Sequence, residues 1–279
     1  MISIEDLTFT YKSGDSPALK DICLNVPEGG FLGVIGPAGA GKTTLARAVS
    51  GMIPHHYTGD YYGRVTVSGL DTVDTPLAEI SRLVGMVFQD VDSQIISPVV
   101  EDEILYGLEN FGVTREEISA RIDEALQRVG IADLRERTIG SLSGGQRQKV
   151  AIASIIALKP SVLVLDEPTG ELDPRSSRQV FSLLKELNEE LGITIVLIEQ
   201  KIMLLCEFAS HLAVLGGGRI LRQGATREVL AHSEELEALG VNCPRVTTLS
   251  RILTEKTGLA QPVCVTPDEA EDMVRRLIS

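Results

Sequence analysis

Gly36-Pro37-Ala38-Gly39-Ala40-Gly41-Lys42-Thr43 follows the continuously apolar run Phe31-Leu32-Gly33-Val34-Ile35 and precedes a helix-like stretch, Thr44 to Ser50. A short apolar run bounded by glycine turns reads as a strand buried on both faces. The octet fits GxxxxGK[ST], whose small residues let the backbone wrap a phosphate with successive N–H groups pointing inward. The helix that follows adds the positive end of its dipole. Lys42 brings a point charge to the β- and γ-phosphates, and the Thr43 hydroxyl is suited to ligate Mg²⁺. An ordinary glycine turn with a stray lysine explains the octet but not the strand before it or the helix after it.

A second buried strand, Val162-Leu163-Val164-Leu165, ends in Asp166-Glu167. Carboxylates there lie at the C-terminal end of a strand, where α/β sheets bind ligands. Asp166 is placed to hold Mg²⁺ through its water shell, and Glu167 to polarise a water for in-line attack on a γ-phosphate. Further strands are expected at Ile2 to Phe9, Ala18 to Val26, residues 64–68, residues 83–88 and Ile193 to Ile198. Glu-rich amphipathic spacing predicts helices from about 99 to 158, with Ile118, Ile122, Ala125, Leu126 and Val129 on one face and Gly130 as terminator, and another around 175–191. Strands alternating with helices imply an α/β fold with a mostly parallel sheet, and the helical block from about 90 to 158 is an excursion from it. Residues 233–279 read as two or three short helices broken by Pro244, Pro262 and Pro267. The division expected is 1–231 and 232–279.

The 279 residues carry 26 Lys+Arg against 39 Asp+Glu, a net charge of −13. That balance speaks against nucleic acid as a partner, because phosphate-backbone affinity rests on Lys and Arg. No apolar run reaches the roughly 18 residues that cross a bilayer, and the first residues lack the pattern of a signal peptide. Cys23, Cys206, Cys243 and Cys264 form no CxxC pair and read as buried small apolar residues in a reducing compartment. His55 and His56 are adjacent in a loop without metal-binding companions, and read as surface residues.

Leu142-Ser143-Gly144-Gly145-Gln146 resembles the signature of ATP-binding-cassette (ABC) ATPases. Tyr11, Gln89, Asp173 and the two motifs above stand in the family's order and approximate spacing, across nearly all of residues 1–231. The resemblance implies a P-loop NTPase fold: a RecA-like core sheet, an antiparallel β-subdomain, a helical subdomain and here a small helical C-terminal extension. It implies ATP and Mg²⁺ as cofactors, with Gly36, Gly39, Ala40, Gly41, Lys42, Thr43 and Thr44 around the phosphates and Tyr11 stacked on adenine. Gln89 matches the glutamine that touches Mg²⁺ or the attacking water, and Asp173 the loop that communicates across a dimer. Ser143, Gly144, Gly145 and Gln146 match the segment that completes the ATP site of a second ATPase subunit.

Met52-Ile53-Pro54, Gly59-Asp60-Tyr61, the stretch Val87 to Ile95 and Gly107-Leu108-Glu109-Asn110 resemble the ATPase subunits of energy-coupling-factor (ECF) importers of vitamins or transition-metal ions. That subgroup implies an integral membrane partner, docking near Gln89 to Gln94 from the cytoplasmic face, and a helical extension that helps hold an ATPase dimer together. One position departs from the family: Gln200 stands where a γ-phosphate-contacting histidine is usual. Glutamine still donates a hydrogen bond but carries no charge and shuttles no proton. With Glu167, Lys42 and the signature present, retained ATPase activity is expected. The alternatives are an ATPase of another transporter type or a low-turnover partner in a heterodimeric pair. Repair or translation ATPases fit poorly, since only about 100 residues separate Lys42 from Ser143 and a single cassette is present.

Overall fold

The computed structural model describes residues 1–278, and Ser279 lies outside the described residues. The chain opens with β1 (Ile2–Tyr11), β2 (Leu19–Val26) and β3 (Phe31–Ile35), then the glycine-rich loop and α1 (Lys42–Val49). A short turn, α2 (Met52–His55), leads to β4 (Gly59–Val67), β5 (Leu70–Asp71), α3 (Leu77–Leu83) and β6 (Val84–Val87). The helical block contains α4 (Val91–Gln94), α5 (Val100–Asn110), α6 (Arg115–Arg128) and α7 (Gly144–Ile156). Then come β7 (Val162–Asp166), α8 (Pro174–Leu191), β8 (Thr194–Ile198), α9 (Ile202–Phe208), β9 (His211–Gly216) and β10 (Arg219–Ala225). The C-terminal helices are α10 (Thr226–Leu230), α11 (Ser233–Ala238), α12 (Arg245–Thr257) and α13 (Pro267–Ile278).

One sheet is antiparallel, in the order β2-β1-β4-β5; the other runs β10-β9-β3-β8-β7-β6. In the second, β9, β3, β8, β7 and β6 are parallel and only the edge strand β10 is antiparallel. Its central strands feed two cores, which is why they are apolar at successive positions. Phe31, Ile35, Leu163, Leu165, Ile195 and Leu197 face the core shared with α5 to α8, whereas Leu32, Val34, Val162, Val164, Val196 and Ile198 face α1 and the antiparallel sheet. Both faces are covered, so the ends of the strands are the places left for chemistry.

The helices α3 and α9 are additions to the expected elements, and three further differences have a clear physical reason. The helix after the glycine-rich loop begins at Lys42, not Thr44, because left-handed Gly41 (φ 103°) turns the chain directly into it. The strand expected at 64–68 extends back to Gly59, since Gly59–Tyr62 pair with Thr8–Tyr11 of β1 while part of their surface stays exposed, which hides the alternation. The strands β9 and β10 are an addition, joined by the tight Gly217-Gly218 turn. At the C-terminus, Leu236 and Val241 pack into the main core, while α12 and α13 share a small core of their own around Cys264, Ala270 and Met273.

Candidate nucleotide site

The glycine-rich loop is steered by two close backbone approaches. A Cβ on Gly36 (φ 151°) would lie 2.2 Å from the Leu215 carbonyl oxygen, and one on Gly41 would lie 2.6 Å from that of Ala18. Only glycine lets the loop pass both backbones and turn into α1. Lys42 is 7% exposed, and its ammonium donates to the carbonyls of Gly36 (2.9 Å) and Pro37 (3.0 Å). The cradle thus carries a buried cation already aimed along its own rim. Tyr11, at the end of β1, leans over the first turns of α1: its hydroxyl lies 3.1 Å from Thr44 Oγ1 and accepts from Arg47 (3.1 Å). Its ring meets Phe9 and Tyr57 edge-on.

Asp166 ends β7 beneath this loop, is 4% exposed, and is hydrogen-bonded by the side chain of Thr43. Its Oδ1 is buried without a hydrogen-bond partner. Burial pushes the carboxyl above its ordinary range, against the opposing pull of the Thr43 bond, and neighbouring Glu167 pushes the same way. A carboxyl raised on folding contributes stability that is fully present below its unfolded pKa and is lost as pH rises through its folded pKa. At neutral pH, ionised Asp166 therefore weakens the nucleotide-free fold. We expect Asp166→Asn to raise the melting temperature by about 2 °C at pH 7.5 in a chelator without nucleotide, the gain fading towards pH 4. Calorimetric scans across pH check this, and a lower melting temperature at neutral pH would contradict it.

Three adjacent parallel strands, β6, β7 and β8, deliver the next cluster from their C-terminal ends. Gln89 follows β6, Glu167 follows β7 and Gln200 follows β8. The Gln89 amide donates to Glu167 Oε2 (3.2 Å), and the Gln200 amide donates to both carboxylate oxygens (2.8 and 2.9 Å). Glu167 adopts φ 50°, a left-handed backbone uncommon for a side-chain-bearing residue. Its N–H donates to Ile198 O (2.9 Å) and its carbonyl accepts from Gly170 (3.1 Å), so both sides of the turn are held. The group opens on a cleft of about 660 Å³ whose walls include Asp92, Gly144 and Leu172.

Ser143 caps α7. Its hydroxyl accepts from the Gln146 N–H (3.3 Å) while the Gln146 side chain accepts from the Ser143 N–H (2.9 Å), a reciprocal capping box. The hydroxyl proton of Ser143 is left free to donate. Gly144 follows as an exposed helix start, and a Cβ on Gly145 would lie 3.2 Å from Ser176. Asp173 caps α8 through the N–H groups of Arg175 and Ser176, and the Ser176 hydroxyl bond holds its carboxyl below the usual range. The structure therefore brings together Lys42, Thr43 and Asp166, and separately Gln89, Glu167 and Gln200. No hydrogen bond joins Ser143, Gln146 or Asp173 to the glycine-rich loop among the described residues. Outside the sequence reading lie Arg47, which sits over the Tyr57 ring (4.0 Å), and the flanking pair Glu199 and Lys201. His55, at the end of α2, is exposed, and its Nε2 lies 2.8 Å from Thr72 O, in keeping with a surface histidine.

The family model described as ABC transporter matches residues 19–170. A Pyrococcus abyssi protein provisionally named as an ABC transporter ATP-binding protein is 42% identical over 96% of both chains. CbiO1 of Clostridium perfringens, described as part of the ABC transporter complex cbiONQ, superposes with a TM-score of 0.77 at 32% identity, over 90% of this chain and 98% of its own. The ATP-binding cassette MJ0796, seen as a dimer in a post-hydrolysis state with ADP and Pi, gives a TM-score of 0.70 at 29% identity, over 81% of this chain and 99% of its own. The phosphate cradle, the carboxylate behind it and the likeness in sequence and fold converge: the chain belongs to the ABC transporter family and is an ATP-hydrolysing cassette of its P-loop fold.

Proposed function

We propose that this chain energises a membrane importer of the energy-coupling-factor type, which takes up a vitamin or a transition-metal ion. The observation that carries the reading is the extent of the likeness to CbiO1, which spans 90% of the chain where that to MJ0796 spans 81%. Among the described residues no helix is long and apolar enough to cross a membrane, and the reading assigns the membrane path to a separate subunit. Its docking surface is the segment from Gln89 to Gln94, which Ile96, 66% exposed, follows in the chain. In this reading the chain works on the cytoplasmic face of the membrane as a peripheral subunit.

In the working unit, two ATPase subunits, identical or related, face each other head to tail. Tyr11 stacks on adenine, the N–H groups from Gly36 to Thr44 cradle the phosphates, and Lys42 swings from its carbonyls to the β- and γ-phosphates. Ser143, Gly144, Gly145 and Gln146 close the opposite subunit's site with the free serine proton and two unobstructed N–H groups, and Asp173 lies where the subunits meet. The orphaned, buried Oδ1 of Asp166 beside the Thr43 hydroxyl fits a hydrated Mg²⁺, and Gln89, in the neighbouring group around Glu167, would be its third protein contact. Bound there, the ion neutralises charge on the phosphates. Glu167 takes the proton of the attacking water, oriented by Gln89 and Gln200, whose amides already meet its oxygens.

Purification from native membranes tests the reading. We expect a membrane scaffold and a small substrate-binding membrane protein to co-purify with the chain. Recovery with a transporter of another architecture, or with ribosomes or DNA, would overturn it.

A further inference from the structure

The end of β8 holds more than Gln200. Glu199 is 2% exposed, and no salt bridge reaches it among the described residues. Its Oε1 accepts from both the N–H and the hydroxyl of Thr169, and its Oε2 accepts from the N–H groups of Gln200 (3.1 Å) and Lys201 (3.3 Å). The ammonium of Lys201 uses three donors on Thr169 O (2.6 Å), Leu172 O (2.6 Å) and Ser177 Oγ (2.7 Å). Neither charge is neutralised by the other's side chain. Each reaches the loop of residues 168–173, which runs from Glu167 to the cap of α8: Glu199 through Thr169, and Lys201 through Thr169 and Leu172, with a third bond to Ser177 in α8 itself.

Three consecutive residues thus grip successive points of one segment: Gln200 holds Glu167, Glu199 holds Thr169, and Lys201 holds Thr169, Leu172 and Ser177. A charge-assisted hydrogen bond is shorter and stronger than a neutral one, and this set spans both ends of the loop. We propose that Glu199 and Lys201 are positioning residues that fasten the loop 168–173 to the end of β8, so that the loop shifts with Gln200. When Gln200 leaves Glu167 for a γ-phosphate, the loop that carries the base and ends at Asp173 moves as one piece. In this role both act through Glu167 and Gln200. An anchor that served only the fold would instead affect melting and nucleotide binding together.

The test uses the full chain and its ATPase kinetics. Lys201→Met keeps the alkyl stem and removes the three donors, and Gln200→Ala removes the grip on Glu167. We expect Lys201→Met to lower kcat roughly 10- to 100-fold through misplacement of the base, with KM for ATP within about twofold of wild type. The double variant should be no slower than the slower single, because the two changes disable one unit. Amide exchange at Thr169 and Leu172 should quicken while that of residues 36–44 stays unchanged. If Lys201→Met does not fold, Glu199→Gln, which keeps size and places an amide N–H group against the Gln200 and Lys201 N–H groups, is read by the same cycle. A kcat within twofold of wild type, multiplicative losses in the double variant, or a loss of kcat that follows melting temperature and KM together would each overturn the proposal.

Discussion

Glu167→Gln abolishes turnover and leaves ATP binding intact: kcat falls roughly 10²- to 10⁴-fold, the usual contribution of a positioned general base. That loss amounts to about 2.7–5.5 kcal/mol of barrier. The substitution is close to isosteric and leaves the φ 50° backbone as it is, so it isolates the carboxylate. Both Gln89 and Gln200 reach Glu167 with amide donors, one on Oε2 and the other on both oxygens. A glutamine at 167 presents one acceptor where the carboxylate presents two, and with that acceptor turned to Gln89 its own amide opposes the Gln200 donor. The conflict costs about 1 kcal/mol, a small fraction of the catalytic loss. The phosphate cradle is untouched, because Lys42, Thr43 and Thr44 make none of these contacts. Titration with a fluorescent ATP analogue beside a phosphate-release assay separates the two quantities. Residual hydrolysis above about a tenth of wild type would show that another group deprotonates the water.

The parts of this molecule that were legible in the sequence are those where pattern and burial coincide. The strands β3, β7 and β8 are apolar at successive positions because both faces are covered, and that run of burial is visible without coordinates. The loop from Gly36 to Thr43 is legible because only glycine tolerates its two backbone approaches. The strand β10 was not, since Arg219–Ala225 alternates exposed and half-buried residues at a sheet edge and contains a glycine, whereas β9 carries the same kind of buried apolar run, Leu212 to Leu215, and went unread with no such physical reason. Glu199 and Lys201 escaped for a different reason. Their charges look like a solvated strand end, yet Glu199 is 2% exposed and its partners, Thr169 and the N–H groups beside it, belong to a loop 30 residues earlier and to its own turn. Only the adjacency of β7 and β8 puts that loop within reach. Gln200 was read as a departure from the family, and its position on Glu167 is a matter of geometry that no spacing encodes.

Lys42→Met weakens ATP binding about 100-fold, or about 2.7 kcal/mol. The argument starts from charge. A chain with a net charge of −13 repels a polyphosphate at long range, so local donors and cations must overcome that field. On α1 the cations are Lys42 and Arg47, and Arg47 is engaged with the Tyr11 hydroxyl (3.1 Å) and the Tyr57 ring (4.0 Å). It cannot replace Lys42 without giving up both contacts. Lys42 is 7% exposed as a residue and its ammonium is held by two loop carbonyls, so much of its hydration is already replaced before ATP arrives. Exchanging neutral carbonyl acceptors for phosphate oxygens then gains charge–charge attraction with little further dehydration cost. Methionine keeps the buried stem and removes only the charge, so the fold should melt within a few degrees of wild type. Thermal shift against ATP concentration checks the prediction: the stabilisation that millimolar ATP gives wild type should nearly vanish. An ATP affinity within about threefold of wild type would mean that the backbone N–H groups of the loop suffice, and that Lys42 acts only on the γ-phosphate in the transition state.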